Sequence, residues 1–474
     1  MSFTDIINYL NGIAWGPWML ILMVGTGVFL TWKLGFLQFV KFGYAMKHTL
    51  GKIFSKQSAG SGEVTPFQAV STALAATVGT GNIAGVTGAI ALGGPGAVFW
   101  MWISALFGMA TKYSEVVLAV QYRERNPKGD YVGGPMYYIK NGLGKKWTWL
   151  AMVFSFLAAI AAVGTGCMTQ INTIATSFNT TIDAFGGNTG GATISLFGQN
   201  IVLSSLAIGL LAAVIVAMVL FGGLKRIGSV TERLVPTMAV VYVVCSLVIV
   251  FVNRQYVGEI FGMIFRSAFS PRAALGGAVG VTIMTAIQKG VGRGVFSNEA
   301  GLGSAPMAHA ATSEKDPVKQ GMYGIFEVFM DTIVICTLTA LTLLCGFKSG
   351  GVGLVWGQNA GAELIIASFA SVFGARIGSL IVTVAISLFA LSTILSWALY
   401  GSRSFEFLFG HKSGIIYQVI YVAAVVAGAV LKLDIVWTIA DTFNGFMAVP
   451  NLIALIGLSG VVAKLTKEYF EKKK

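Results

Sequence analysis

Long apolar stretches alternate with short polar segments along the whole chain of 474 residues. Since about 20 apolar residues are needed to cross the hydrocarbon core of a bilayer, the pattern predicts eleven transmembrane helices. We therefore expect an all-α polytopic membrane protein with one transmembrane domain over residues 1–474. The predicted helices lie near residues 15–36, 66–92, 95–120, 148–178, 200–222, 232–252, 273–311 (interrupted), 321–346, 377–400, 414–431 and 435–462.

The stretch from Phe67 to Leu92 is long enough to cross a bilayer, but its middle disfavours a helix. The segment Val78–Asn82 reads VGTGN, and each glycine costs about 1 kcal/mol of helix propensity. Irregular backbone at membrane depth is tolerated where it is buried in protein or lines a cavity. Broken helices of this kind bind substrates and ions in many secondary transporters. This segment is therefore our first candidate for a binding site.

A second glycine-rich span begins at Ala273 and predicts another broken helix. The two broken helices lie five helices apart, which is typical of an inverted repeat of five plus five helices. Tight packing of glycine-rich helix faces is the structural alternative. The predicted units are a peripheral first helix with a basic segment (1–60), the two repeats (66–252 and 273–462) and a tail (463–474). The glycines of the second span are Gly276, Gly277 and Gly280 in its first half and Gly290, Gly292 and Gly294 in its second half.

Composition and charge agree with a membrane protein and predict its orientation. The chain is 55% hydrophobic and 11% charged, with a mean hydropathy of +0.77, whereas soluble proteins have about 25% charged residues. The basic residues behind the net charge of +13 lie in short loops such as 123–146, while 179–199 has none. Because basic loops face the cytoplasm, we expect the N-terminus outside and the C-terminus inside a cell membrane. The expected partner is therefore the lipid bilayer and not nucleic acid.

No motif in the sequence indicates an enzyme or a nucleotide-driven pump. The chain has no phosphate-binding loop, no HExxH and no GxSxG, so we expect no catalytic residues and no cofactor. The segment Thr77–Gly81 (TVGTG) superficially resembles a potassium-channel filter, which makes a cation channel the main alternative. Such a filter needs four copies around one axis, whereas this segment occurs once. The oligomeric state is not fixed by the sequence, and a monomer is compatible with it.

Five motifs resemble those of the alanine/glycine:cation symporter family, also called the sodium:alanine symporter family. Together they extend over nearly the whole chain. The resemblance implies a LeuT-type fold, alanine or glycine as substrate, and sodium, or alternatively protons, as the coupling cation. The motifs are Ala75–Gly85 (AATVGTGNIAG), Gly93–Trp102 (GGPGAVFWMW), Gly133–Tyr138 (GGPMYY), Arg293–Gly301 (RGVFSNEAG) and Asp441–Gly445 (DTFNG).

The first broken helix offers donors for the carboxylate of an amino acid. The freed N–H groups of Thr80 and Gly81 are candidates, because unpaired N–H groups at helix N-termini favour anions. The hydroxyls of Thr77 and Thr80 are further donors, with hydrogen bonding inside the helix as the alternative. Gln170 can donate and accept, and the resemblance places a substrate-binding glutamine here. Its structural alternative is an interhelical hydrogen bond.

The second broken helix is expected to supply acceptors for the substrate ammonium through the carbonyls of residues 276–282. Bulky neighbours would restrict the pocket to small side chains, although one methylene discriminates by only about 1–3 kcal/mol. The candidate substrate residues here are Ala278, Val279, Gly280, Val281 and Thr282, together with Trp397 from the helix 377–400.

A sodium site requires several oxygen ligands. Carbonyl groups freed at the first break can supply some of them. In LeuT-type carriers, to which the resemblance points, hydroxyls on the eighth helix of the repeat core supply the rest. Ordinary packing of serine and threonine is the alternative. The candidate sodium ligands are the carbonyls of Ala75 and Val78 and the hydroxyls of Ser392, Thr393 and Ser396, with Asn82 and Thr282 as candidates for a second cation.

Charged residues inside the predicted spans are expected to be functional, because they are costly in a membrane. Lys112 and Glu115 are three residues apart and are predicted to pair. Arg293 and Glu299 are predicted to contribute to a cytoplasmic gate, with a structural ion pair as the alternative. Glu327 or Asp331 could carry a proton.

Taken together, these features predict a secondary active transporter. It would import alanine, glycine or both with sodium, or alternatively protons, by alternating access. A cation channel and a carrier for another small zwitterionic solute are the alternatives.

Overall fold

The computed structural model of the protein describes residues 3–51, 59–60, 62–196, 199–270, 282–358, 360–431 and 434–473. It is almost entirely helical, with two antiparallel hairpins, β1 Glu124–Arg125 with β2 Tyr131–Val132 and β3 Thr193–Leu196 with β4 Gln199–Val202. The α-helices are α1 Phe3–Ala14, α2 Pro17–Lys33, α3 Leu37–Val40, α4 Phe42–Leu50, α5 Pro66–Thr77, α6 Ala84–Gly93, α7 Gly96–Gln121, α8 Pro135–Tyr138, α9 Thr148–Val163, α10 Thr169–Ala184, α11 Leu203–Leu220, α12 Gly223–Val252, α13 Arg254–Phe269, α14 Ile283–Asn298, α15 Pro306–His309, α16 Pro317–Val328, α17 Thr337–Lys348, α18 Ala362–Phe373, α19 Ala375–Phe409, α20 Ser413–Val430, α21 Asp434–Phe446, α22 Ala448–Gly457 and α23 Ser459–Glu471. Wider π-helical turns lie at Ile139–Leu143, Gly164–Met168 and Phe329–Cys336.

Among the described residues, nine helical segments are long and apolar enough to cross a membrane, and a bent pair can count as a tenth. Each corresponds to a predicted helix, which confirms a multi-pass helical membrane protein. The predicted span 273–311 is described only from residue 282 and does not enter this count. The nine segments are Thr4–Lys33, Gly96–Gln121, Lys145–Ala184, Leu203–Leu220, Gly223–Val252, Pro317–Lys348, Ala375–Phe409, Ser413–Val430 and Trp437–Gly457.

The ends of the spans define two faces of the molecule. The chain crosses from Lys145 to Ala184 through α9 and α10, so the two hairpins lie on opposite faces. We call the side with residues 122–147 the basic face and the side with residues 185–202 the hairpin face. The helix α7 ends at the basic face, so its start and the end of α6 lie at the hairpin face.

The bent pair α5–α6 has a local cause for its 56° angle. Thr65 and Gln68 form a reciprocal cap at the start of α5, with both side chain–backbone bonds at 3.1 Å. At the other end, α5 stops at Thr77 and a single 3₁₀ turn covers Thr80–Asn82 before α6 begins. The interruption therefore lies where the segment VGTGN predicts it.

The described part of the predicted span 273–311 contains an interruption, whereas the predicted break at residues 276–280 lies outside the described residues and is not tested. The helix α14 runs unbroken from Ile283 to Asn298, and residues 299–305 are non-helical. Three residues there have left-handed backbone angles, Glu299 (φ 56°), Gly301 (φ 96°) and Gly303 (φ 83°). Such angles end a helix. The glycines at 290–294 lie inside α14 and do not break it.

The hydrophobic pattern does not predict α13, because this 16-residue helix is too short and polar to cross a membrane. Its buried residues Ile260, Ile264 and Ala268 face the protein. The Ala268 carbonyl accepts from Trp100 Nε1 at 3.3 Å. The helix therefore packs along the start of α7 at the hairpin face.

Substituting Gly290 should separate α14 from α7. A Cβ at Gly290 would lie 2.3 Å from the carbonyl oxygen of Ala97, so Gly290→Ala should lower the unfolding temperature of the detergent-solubilised protein. In Gly292→Ala on the same helix, the nearest atom is Leu20 Cδ2 at 3.9 Å, and alanine gains about 1 kcal/mol of helix propensity. Equal unfolding temperatures for the two variants would contradict this packing.

Candidate functional site

Two cavities meet at the bend between α5 and α6. An outer vestibule of about 680 Å³ opens toward the hairpin face, and a small inner cavity of about 20 Å³ adjoins it. Four residues line both cavities and form the partition between them: Gly81, Thr165, Gln170 and Phe296. The rest of the inner cavity is lined by Ala76, Thr77, Gly79, Ser297, Glu299, Thr393, Trp397 and Asn444.

The hydroxyls of Ser392 and Thr393 on α19 converge on the end of α5. Both donate to the carbonyl oxygen of Ala75, at 3.2 and 3.0 Å. Both also lie near the carbonyl oxygen of Phe389, at 2.8 and 3.0 Å. Sequence reasoning missed Phe389, because the break in the first helix marks the carbonyls of Ala75 and Val78, whereas nothing in the sequence marks a carbonyl inside a regular helix. Two hydroxyls and two carbonyls in one buried place are the ligand chemistry of a hard cation.

Gly79, Val78 and Ser396 lie close to this oxygen group along the chain. A Cβ on Gly79 would lie 2.6 Å from Thr393 Oγ1, so glycine is what allows α19 to approach the bend. The carbonyl of Val78 makes no hydrogen bond to the two hydroxyls, although Val78 is buried at the end of α5. Ser396 lies one turn along α19, and its Oγ is buried with no partner among the described residues.

A second oxygen-rich group surrounds Asp331 beside the bend. Asn82 Nδ2 donates to its Oδ1 at 2.6 Å, Ser297 Oγ at 3.1 Å, and Thr332 Oγ1 donates to Oδ2 at 2.8 Å. All four side chains are buried. Asp331 lies in the π-helical turn Phe329–Cys336, a feature frequent at functional sites. The structure thus joins two predicted residues, Asn82 and Asp331, through a contact that sequence spacing could not reveal.

Gln170 contacts the bend directly. Its Oε1 accepts from Thr80 Oγ1 at 3.0 Å and from the Thr80 N–H at 3.4 Å, and its Nε2 donates to the Thr165 carbonyl at 3.2 Å. The Gly81 N–H has no hydrogen-bond acceptor among the described residues. The Thr77 hydroxyl is 3.3 Å from the carbonyl oxygens of residues 73 and 74, so it bonds inside its own helix.

Glu299 lies in the inner cavity, which the sequence did not indicate. Trp397 Nε1 donates to its Oε1 at 3.0 Å, and the Ser304 hydroxyl bonds its Oε2. Arg293 lines the vestibule and does not line the inner cavity. The prediction that Arg293 and Glu299 act together at a cytoplasmic gate is therefore wrong, because the chain leaves its helix between them and sends the two side chains to different cavities.

Most of the other predicted substrate residues do not line these cavities in the described part of the chain. Ala278, Val279, Gly280 and Val281 lie outside the described residues. Thr282 is exposed at the N-terminus of α14, where its hydroxyl accepts from the Thr285 N–H at 3.1 Å. It lies a whole helix away from the interruption at 299–305. Trp397, in contrast, lines the inner cavity.

The buried charges form a network beside the second interruption. Lys112 Nζ lies 3.3 Å from Glu327 Oε1, and both side chains are fully buried. The prediction that Lys112 pairs with Glu115 is therefore wrong, because α7 turns Lys112 toward α16. Glu115 Oε1 instead accepts from the N–H groups of Gly301 and Gly303, at 3.0 and 3.2 Å.

On the basic face, the residues before α5 are held against the segment 310–314. The Val64 N–H donates to the Ala311 carbonyl at 3.0 Å, and the Ser313 N–H donates to the Val64 carbonyl at 2.8 Å. Arg123 donates three hydrogen bonds of 2.6, 2.9 and 3.1 Å to carbonyls of that segment. These contacts fix the start of α5 to the segment 310–314 on the basic face, opposite the hairpin face toward which the vestibule opens.

Comparison with known proteins identifies the class of this architecture. The helical fold resembles the crystal structure of MhsT in complex with L-phenylalanine. That structure is similar with a TM-score of 0.56 at 14% sequence identity, covering 86% of this chain and 99% of that chain. The fold is therefore that of the LeuT-type transporters.

The family follows from the sequence matches. The sodium:alanine symporter family model matches residues 1–474. The chain is 45% identical over 479 residues to the sodium/alanine symporter AgcS of Methanococcus maripaludis, covering 100% of this chain and 99% of that protein. It is 36% identical over 470 residues to the probable sodium/glutamine symporter GlnT of Bacillus subtilis, covering 99% and 91%. The chain belongs to the sodium:alanine symporter family, which is a family of transporters and not of enzymes.

Gly79→Ala should disturb the oxygen group at Ala75, because the new Cβ would lie 2.6 Å from Thr393 Oγ1. We expect the purified variant to lose most of the rise in unfolding temperature that sodium produces in the wild type. Gly85→Ala is the control, since its nearest neighbour is Arg293 Cδ at 3.8 Å. A sodium response that is equal in both variants would contradict the placement of the cation.

Breaking the buried ion pair should cost far more than breaking an exposed one. Glu327→Gln leaves the Lys112 ammonium buried without a full counter-charge, and we expect a loss of about 3–5 kcal/mol of stability. In Glu468→Gln, which removes an exposed partner of Lys464 at 3.9 Å, the loss should stay below about 1 kcal/mol. Thermal unfolding of both variants and of the double variant Lys112→Met/Glu327→Gln measures this. Similar losses of stability in Glu327→Gln and Glu468→Gln would show that the buried network does not stabilise the fold.

Proposed function

We propose that the protein is a sodium-coupled symporter that imports alanine and glycine by alternating access. The observation that carries the proposal is the convergence of the Ser392 and Thr393 hydroxyls on the Ala75 carbonyl, at 3.2 and 3.0 Å, beside the irregular backbone of the bend. In this arrangement the cation and the amino acid bind side by side, so that the bound cation organises the site for the amino acid. The similarity to AgcS, whose name states sodium and alanine, supports this assignment.

The architecture belongs to the same proposal. We assign eleven transmembrane helices arranged as two inverted repeats, 66–252 and 273–462, with α1–α2 as the peripheral first span and 463–474 as the tail. The two interruptions support it, because residues of both line the inner cavity, Gly79 and Gly81 from the first and Glu299 from the second. Paired interruptions of this kind are typical of inverted-repeat transporters.

The coupling cation is assigned to the oxygens at the end of α5. The ligands would be the carbonyls of Ala75, Val78 and Phe389 with the hydroxyls of Ser392 and Thr393. The buried Ser396 hydroxyl, which has no partner among the described residues, can turn toward the same place. Asn82 and Asp331 form the candidate site for a second cation, or for a proton on the Asp331 carboxylate.

The substrate carboxylate is assigned to the bend. The free N–H of Gly81 and the N–H and hydroxyl of Thr80 can donate to it. Gln170 Oε1 accepts hydrogen bonds from the N–H and the hydroxyl of Thr80, at 3.4 and 3.0 Å. It therefore occupies the position at which a carboxylate oxygen would bind. Entry of the substrate would displace this oxygen, and Gln170 could then donate its N–H₂ group to the carboxylate.

Substrate size is set by the inner cavity. Its volume of about 20 Å³ holds a group about the size of one water molecule, so the rest of even a small amino acid must lie toward the vestibule, and Trp397 and Phe296 form two of the cavity walls. A larger zwitterion such as glutamine, named for the relative GlnT, would require these rings to move. We therefore favour glycine and alanine over a carrier for larger solutes.

The transport cycle follows from the two faces. With the vestibule open at the hairpin face and Val64 held on the segment 310–314, this arrangement of the described residues admits substrate from the hairpin face. We assign that face to the outside of the cell membrane, because the short loops of the opposite face carry the basic residues. Release inside the cell requires the contacts of Val64 to break and α5 to swing away from 310–314.

The decisive experiment is uptake of labelled alanine and glycine into liposomes that contain the purified protein. Inward gradients of sodium or of protons are imposed separately. We expect sodium to drive accumulation above equilibrium. In Thr393→Val, the sodium concentration that gives half-maximal uptake should rise at least about tenfold, because one oxygen ligand is lost.

Two other results would redirect or reject the proposal. Accumulation driven by protons alone, and abolished in Asp331→Asn, would move the coupling site to Asp331. Thr393→Ser retains the hydroxyl and serves as the matched control for Thr393→Val. Uptake that only equilibrates under either gradient would reject symport.

A further inference from the structure

We infer that the inner cavity contains an ammonium subsite formed by the hydroxyl of Thr165, the side-chain amide of Asn444 and the carboxylate of Glu299. This inference rests on the proposed function, because it names the groups that hold the positive end of the amino acid. None of the three residues was predicted from the sequence as a substrate residue. All three line the same small cavity.

The first observation is a pair of buried acceptors without partners. Thr165 Oγ1 and Asn444 Oδ1 are both inaccessible and make no hydrogen bond to the described residues. The two residues are 7% and 1% exposed. A buried polar group without a partner is costly, so a site that retains two of them in one cavity is built for a ligand that donates hydrogen bonds. An ammonium group, with three N–H donors and no acceptor, is such a ligand.

The local backbone explains why Thr165 is available. In α10 the next threonine, Thr169, donates its hydroxyl to a carbonyl one turn back, at 2.7 Å. Thr165 lies in the π-helical turn Gly164–Met168 and makes no such bond. Its own carbonyl accepts from Gln170 Nε2 at 3.2 Å. Thr165 is therefore fixed beside the residue to which we assign the carboxylate end of the substrate.

The second observation is the sign of the charge in the cavity. Among the described residues that line the inner cavity, Glu299 is the single charged one. Lys289 and Arg293 line only the vestibule. Glu299 is held by Trp397 Nε1 at 3.0 Å and by the Ser304 hydroxyl, which occupy one position on each of its oxygens. A carboxylate has about four acceptor positions, so it can still accept from a substrate.

The geometry also gives the substrate a direction. Donors of N–H and O–H type, on Thr80 and Gly81, lie at the partition toward the vestibule. Acceptors lie in the inner cavity. An amino acid would therefore enter with its ammonium group first and leave its carboxylate at the bend. Sodium, bound near Ala75, needs neither Thr165 nor Asn444.

The test uses variants that remove an acceptor and keep the volume. Thr165→Val and Asn444→Leu, in the full-length protein in detergent, should each weaken alanine binding about tenfold or more, because a hydrogen bond to a charged group is lost. Thr165→Ser keeps the hydroxyl and should bind alanine like the wild type. Propionate, which has the carboxylate and no ammonium, is the comparison ligand in competition binding. Its affinity should be unchanged in both variants.

The results separate this subsite from the proposed function. If the two variants weaken the binding of alanine and of propionate equally, the subsite is overturned. If they weaken the binding of neither, the subsite is also overturned, and the two acceptors bind water only. The rise in unfolding temperature with sodium should persist in Thr165→Val and Asn444→Leu, which shows that they are folded. If the wild type itself neither binds alanine nor accumulates it, the proposed function fails. Glu299→Gln keeps the acceptor for Trp397 Nε1 and can donate to the Ser304 hydroxyl in place of accepting from it, but it removes the charge, and it should also weaken alanine binding more than propionate binding.

Discussion

Every backbone polar group at membrane depth needs a partner, and the structure around both interruptions depends on this requirement. At the bend after α5, Asn82 Oδ1 accepts from the Gly79 N–H at 2.8 Å, while the other end of the same amide reaches Asp331. At the second interruption, Glu115 accepts from the N–H groups of Gly301 and Gly303. Side chains thus replace the helical hydrogen bonds that the breaks remove. The cost of irregular backbone is offset by polar residues on neighbouring helices.

The same polar residues connect the second interruption to the basic face. Lys112 meets Glu327, whose other oxygen lies 3.1 Å from His309 Nε2. His309 Nδ1 lies 2.9 Å from Gln320 Nε2, and Gln320 Oε1 accepts from Thr312 at 3.1 Å. Thr312 belongs to the segment on which Val64 is held. A continuous chain of buried contacts therefore runs from Lys112 on α7 to the contacts of Val64 that, in the proposed cycle, break for release at the basic face.

Glycine serves two different purposes in this protein. At Gly79 it allows the hydroxyl of Thr393 to approach the bend, where a Cβ would lie 2.6 Å away. At Gly290 and Gly294 it allows α14 to lie against α7, where added Cβ atoms would meet Ala97 and Ser104 at 2.3 Å. Both uses bring backbone close to another group, and close packing of small residues is how membrane helices associate. The first use builds a site, and the second builds the frame that holds it.

The sequence by itself determined the class of protein, the positions of most spans and the first interruption. These features follow from local properties, namely apolar length, the VGTGN segment and the family motifs. It also indicated Gln170, Ser392 and Thr393 near that interruption through the family resemblance, and Trp397 as a bulky neighbour of the site. Only the tertiary structure revealed the interruption at 299–305, because left-handed angles at Glu299, Gly301 and Gly303 leave a weaker signal than the glycines of α14. It also decided the partners of the buried charges and the roles of Thr165 and Asn444, since these depend on which helix faces which. Such contacts join residues hundreds of positions apart, and no spacing along the chain encodes them.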